Sequence, residues 1–281
     1  MKGTARGVAQ IIEPQSVVEG AGVKLKRSIA TATLDYVDPF LLLDHFASKN
    51  PADYQAGFPL HPHRGIETVT YLLAGVVHHR DTLGNSGVIN AGDIQWMTAG
   101  GGIMHEEMPQ VRPEGVAGFQ LWVNLPAKLK MTKPRYQNIA ANEIPEVTRE
   151  GSARIRVIAG TVDGVTGPVT GIAADPIYLD VSVPSDASFT QPISRGHSAF
   201  AYVFEGEGNF AGKIVSNLRL VVLGDGDFVE VKTTNSPVRF LLVSGKPLGE
   251  PVARYGPFVM NSREEIEQTL RELQEGTFAQ T

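Results

Sequence analysis

Short apolar or alternating runs recur along the whole chain: ETVTYLLAG, GDIQWMTAG, GFQLWVNLP, RIRVIAGTV, IYLDVSVP, AFAYVFEG and VRFLLVSG. They are rich in Val, Ile, Leu and Thr, and turn signals part them roughly every 8 to 12 residues, the spacing of an all-β sandwich or barrel. Thirty glycines and eighteen prolines supply those turns. One segment follows a different period. In NSREEIEQTLRELQEG, Ser262 and Glu265 form a capping-box signature, and Ile266, Leu270 and Leu273 fall on one helical face before Gly276. This predicts one helix, packed on the outside of a β core.

A weak internal repeat divides the chain. Tyr71–Gly75 (YLLAG) aligns with Tyr202–Gly206 (YVFEG), and Arg64-Gly65 then falls on Arg195-Gly196. Downstream, Gly92-Asp93-Ile94 resembles Gly226-Asp227-Phe228. A repeat of such long period predicts duplicated domains, here residues 1–138 and 139–281, with the helix in the second. The linker falls near Ala141–Pro145 or Glu150-Gly151.

The 281 residues are enough for two domains that each bury a core, with 42% hydrophobic and 20% charged residues. The net charge of −5 comes without a basic stripe, so direct nucleic-acid binding has no electrostatic support. The absence of cysteine excludes disulfides, zinc–thiolate sites and catalytic thiols. The first residues lack the apolar stretch of a secretory signal, and no apolar run reaches membrane-spanning length. The expectation is a cytoplasmic protein with no membrane partner.

Two short segments carry the chemistry. His61 and His63 flank Pro62, and residues two apart on a strand point to one face. Pro62 cannot donate to a ladder, which places the pair at a strand start or edge. In GGGIMHEEMP, His105 and Glu107 are again two apart. Neighbouring strands would bring three imidazoles and one carboxylate onto one cation, a donor set that suits Fe, Mn, Ni, Cu or Zn. By itself a His-x-His is weak, because a strand histidine is commonly a satisfied polar group. On a continuous strand Glu67 would share parity with His63, and it rivals Glu107 as the carboxylate. His78 and His79 read as an exposed strand edge, His45 as a packed residue or one behind a ligand, and His197 as solitary. Gln120 shares a strand face with Trp122 and Asn124, where it could point at a ligand or at solvent. The glycine run before His105 is no dinucleotide fingerprint, and no Walker loop or G-x-S-x-G elbow is present.

HPHRGIETVTYLLAG followed by AGDIQWMTAGGGIMHEEMP resembles the pirin family of the cupin superfamily, and the likeness extends to GFQLWVNLP, SGKPLGEPV and GPFVMNSREEI. The general cupin pattern is matched by Gly57, His61, His63 and Glu67, then by Gly92 and His105; Thr98-Ala99-Gly100 stands where a general cupin has Pro-x-Gly. The resemblance implies a bicupin, with a metal in the N-terminal domain on His61, His63, His105 and Glu107. It favours Glu107 over Glu67. It implies one divalent transition metal, iron before Mn, Ni, Cu, Zn or Co.

The resemblance also implies a function like that of the quercetin dioxygenases, which open a flavonol ring with O₂, with Glu107 as the catalytic base. The alternative is a metal- and redox-dependent regulator that binds a transcription factor or a metabolic enzyme. Phe58 and Trp96 are expected at the cavity entrance. In the second repeat, Pro192, Ser194, Arg239 and Leu241 stand at the four ligand positions, so that domain is expected to be metal-free.

Overall fold

In the computed structural model, which describes residues 3–279, the alternating runs are strands and the chain divides into two compact units. One unit comprises Ser16–Ala30, Phe40–Ala141 and Leu248–Thr281; the other comprises Met1–Gln15, Thr31–Pro39 and Asn142–Pro247. The break at Ala141 lies close to the expected one, but the ends of the chain are exchanged. The C-terminal helix, assigned by sequence to the second half, packs with the unit that holds the histidine pairs. No helix among the described residues is long and apolar enough to cross a membrane.

The unit with the histidines is built of two antiparallel sheets. The larger runs in the order Arg135–Ile139, Ile94–Thr98, Ile66–Ala74, Val116–Asn124, Phe40–Ser48, Val23–Ile29, Gln15–Glu19. The smaller runs Phe58–His63, Ile103–Pro109, Val76–Asp81, Ser86–Asn90. Between His63 and Ile66 the chain leaves one sheet for the other. Gly65 makes that corner at φ 78°, and a Cβ there would collide with the Val259 carbonyl oxygen. Strand parity therefore does not carry from His63 to Glu67.

The corner is anchored by two buried cations. The Arg64 guanidinium donates to the Gly101 carbonyl at 2.7 Å, to Thr269 Oγ1 at 3.1 Å and to the Phe278 carbonyl at 3.2 Å. It also pairs with Glu272 at 2.6 Å and lies over the Phe278 ring. Lys130 Nζ donates to the carbonyls of Gly65 and Val259 and to Asn124 Oδ1. Burial lowers the Lys130 amine to about 8. Thus the residue after His63 is fastened to the C-terminal segment.

The helix spans Arg263–Glu275 with the reciprocal Ser262–Glu265 capping box, and it ends at Gly276 in the left-handed conformation. Ile266 packs in a small core with Phe258, Met260 and Phe278, and Leu270 and Leu273 lie against it.

The second unit has its own apolar core. A sheet runs Val8–Ile12, Arg219–Leu223, Ser198–Phe210, Val238–Gly245, Ile177–Val183, Ala153–Ala159, Glu146–Arg149. The far end of Ser198–Phe210 crosses to pair with Lys213–Ser216 and Phe228–Lys232. Inside lie Val157, Leu179, Val203, Leu242 and a Phe189–Phe240–Phe210 group in edge contact. Arg239 forms a two-pronged bond with Asp180 at 3.0 and 2.7 Å, Leu241 is buried, and Pro192 and Ser194 are exposed.

Candidate metal centre

The histidines come together because two strands of the smaller sheet are paired in register. His105 stands opposite His61, Met104 opposite Pro62 and Ile103 opposite His63. Cross-strand partners project from one face, so the His-x-His of one strand meets the histidine of the next. The ring centroids are 4.9 Å apart for His61 and His63, 4.5 Å for His61 and His105, and 5.1 Å for His63 and His105. One nitrogen from each ring lies within 4.8 Å of the others, the one such three-residue group among the described residues.

The hydrogen bonding of these rings is incomplete in a way that fits a cation. His61 Nδ1 donates to the Pro59 carbonyl at 2.9 Å, which leaves its Nε2 lone pair facing His63 Nε2 at 3.1 Å. His105 is buried and neither of its ring nitrogens has a hydrogen-bond partner. An imidazole buried in this way costs free energy unless something accepts its lone pair. Burial, followed by the neighbouring imidazoles, holds His63 and His105 well below the ordinary histidine range, so both are neutral donors at neutral pH. Three convergent imidazoles with a carboxylate nearby fit a divalent transition metal.

Glu107 is buried on the same strand face, but its contact lies beside the histidine group. The ladder shifts register between His105 and Glu107, so Glu107 stands opposite Phe58. Glu107 Oε1 accepts from Thr70 Oγ1 at 2.9 Å, and Thr70 lies 2.8 Å from Gln120 Oε1. Burial raises the Glu107 carboxyl above its usual value, opposed by the His61 charge and the Thr70 bond. Gln120, an open choice from sequence, points inward.

Glu67 occupies the other face of its strand, where Thr98 Oγ1 donates to its carboxylate at 2.8 Å. It stands opposite Val123, whereas Thr70 stands opposite Gln120. Trp96 also differs from expectation: it is fully buried opposite Val69, on the face away from Thr70. The tryptophan at the cavity is Trp122, in edge contact with His63 at 5.1 Å.

Of the other histidines, His78 is exposed as expected, but His79 is buried, opposite Glu107 in register and 5.6 Å from the Tyr136 ring. Periodicity carried this signal: His79, Asp81, His105 and Glu107 share a face once the two strands pair. His45 stacks on Phe119 at 4.8 Å, away from the cavity.

The cluster opens onto a cavity of about 530 Å³. Phe46, Phe58 and Trp122 supply aromatic walls, with Arg254 placed over the Trp122 ring at 5.3 Å. At its floor lies a charged group that sequence reasoning missed. Arg27 donates to both carboxylate oxygens of Asp44, at 2.8 and 2.7 Å, and to Glu19 at 2.7 Å. Burial raises the Asp44 carboxyl, with Arg27 opposing that shift.

Comparison with known proteins gives a consistent picture. A family profile described as Pirin matches residues 22–123, and one described as Pirin C-terminal cupin domain matches residues 178–279. A pirin-like protein of Caulobacter vibrioides is 45% identical over 274 residues, covering 97% of this chain and 99% of its own. A Pseudomonas aeruginosa protein named as a candidate quercetin 2,3-dioxygenase is 43% identical, with 98% of each chain covered. The crystal structure of a quercetin 2,3-dioxygenase from Acinetobacter baumannii superposes with a TM-score of 0.89 at 32% identity, covering 98% of this chain and 99% of that one.

Proposed function

The chain belongs to the pirin family, and on that premise we propose that it is a metal-dependent dioxygenase that opens a flavonol ring with O₂. The observation that carries this reading is the meeting of three imidazoles, those of His63 and His105 buried, beside an aromatic-walled cavity that His61 and His63 line. His61, His63, His105 and Glu107 would hold one metal, with iron the first choice. When bound, the metal supplies Lewis acidity to the hydroxyl and carbonyl oxygens of the flavonol.

The protein's side chains do the remaining work. Glu107 takes the proton of the flavonol hydroxyl through the carboxylate oxygen that Thr70 does not hold. Thr70 and Gln120 fix the orientation of that carboxylate. Trp122, Phe46 and Phe58 press a flat substrate into the cavity and displace water from it. In the overall reaction both atoms of O₂ enter the product and carbon monoxide leaves. The reading needs no protein partner.

The test is metal analysis of protein purified without added metal, then anaerobic titration with quercetin, then admission of O₂. A flavonol spectral shift under anaerobic conditions, followed by carbon monoxide release, is expected. Absence of any spectral shift would overturn the dioxygenase reading and leave metal-dependent binding of another protein as the function.

A further inference from the structure

The larger sheet carries a row of polar side chains straight across the floor of the cavity. In register, Thr70 stands opposite Gln120, Gln120 opposite Asp44, and Asp44 opposite Arg27. All four line the cavity. At one end Thr70 reaches Glu107; at the other Arg27 reaches Glu19. Strands lie about 4.8 Å apart, so Asp44 is roughly 10 Å from Thr70, two strands away.

The rest of that floor is apolar. Leu42 and Phe46 flank Asp44 on its own strand face, and Leu25 flanks Arg27. Asp44 is held rigidly, because Arg27 grips both of its oxygens and is itself braced by Glu19. Each carboxylate oxygen has a further lone pair, so Asp44 can still accept a hydrogen bond from a ligand.

We propose that Asp44, clamped by Arg27, is the specificity determinant of this cavity: it receives a hydroxyl on the far ring of a flat aromatic substrate whose near end lies at the histidine cluster. This rests on the flavonol reading and narrows it to flavonols hydroxylated on the pendant ring. A ring without hydroxyls would cover the remaining lone pairs of the Asp44 carboxylate and offer them no donor, and a site built to bond a hydroxyl rejects an analogue that lacks it.

The test compares two flavonols that differ only in the hydroxyls of the pendant ring, using the metal-loaded full chain. The wild-type kcat/KM ratio should favour the hydroxylated compound by roughly tenfold or more. The double variant Arg27→Leu/Asp44→Leu replaces the buried pair by apolar side chains; the carboxylate it leaves without Arg27 is that of Glu19, which is exposed to solvent. Its ratio should fall to about one, a quantity that does not depend on the fraction of active protein.

A wild-type ratio near one, or a ratio that the double variant leaves intact, would overturn the specificity role while the dioxygenase reading stands. If neither flavonol binds, read by quenching of tryptophan fluorescence, both fall together.

Discussion

Thr70 and Glu107 belong to different sheets, yet the Thr70 hydroxyl lies 2.9 Å from the Glu107 carboxylate. Glu107 is thereby held by a side chain from across the cavity as well as by its own strand. Partners behind metal ligands typically matter about 10- to 100-fold for affinity or activity. Thr70→Val, which keeps the shape and removes the hydroxyl, should lower metal affinity or turnover by about that factor. Metal titration and flavonol kinetics check it; an unchanged variant would mean that the bond does not orient Glu107.

Replacing His63 or His105 by Ala should empty the metal site. Glu67→Gln should retain the metal, because Glu67 points to the other face of its strand and bonds Thr98. Elemental analysis of the purified variants decides between them. Metal loss in Glu67→Gln would transfer the carboxylate role to that residue.

The wild-type chain should carry one equivalent of metal, held in the unit that contains His61. The aligned positions of the second unit offer Pro192, Ser194, Leu241 and an Arg239 already engaged by Asp180. A site without donors has nothing to offset the cost of stripping water from the ion. A stoichiometry near two after removal of loosely bound ions would refute this.

His45 should make the protein acid-sensitive. Burial lowers its folded pKa to about 4, whereas the unfolded side chain titrates near 6.5. Between those values the unfolded chain binds the extra proton, so stability is full above about pH 6.5 and declines as pH falls toward 4. At pH 5 the loss is about 2 kcal/mol. His45→Phe, which can still stack on Phe119, should show a smaller difference between denaturation at pH 7.5 and at pH 5. An equal difference would show that other groups govern the acid limit.

Arg64→Met should destabilise the unit by roughly 3 kcal/mol, because it leaves the polar partners of a buried cation unpaired. Thermal unfolding measures this, and metal affinity should fall with it because Arg64 adjoins His63.

How far the sequence could be read followed from the range of each signal. The helix was legible to its caps, since Ser262, Glu265 and Gly276 act within one or two turns. The histidine spacing was legible because alternation is a local rule. Extending the rule from His63 to Glu67 failed at Gly65, where the chain changes sheets. Trp96 was misplaced because period-2 alternation gives two faces without saying which is the cavity. The Arg27–Asp44 pair was invisible because it joins residues seventeen apart, on two strands, through a register that no local pattern encodes. Thr68 and Thr70, polar positions inside an apolar strand, were a signal that went unread.

The fastening of Arg64 to the C-terminal segment sets an order of events during synthesis. Thr269 and Phe278 follow Arg64 by 205 and 214 residues. At ordinary translation speeds the ribosome takes ~10–40 s to make that stretch. A nascent chain therefore displays His61, His63, His105 and Glu107, the proposed donors, well before the part that locks their corner in place. Metal captured in that interval would sit in an open, exchangeable site, and the completed chain would close around whichever ion was present. Any metal that the mature protein holds would then record which ions were available at the moment of closure as well as the preference of the donors.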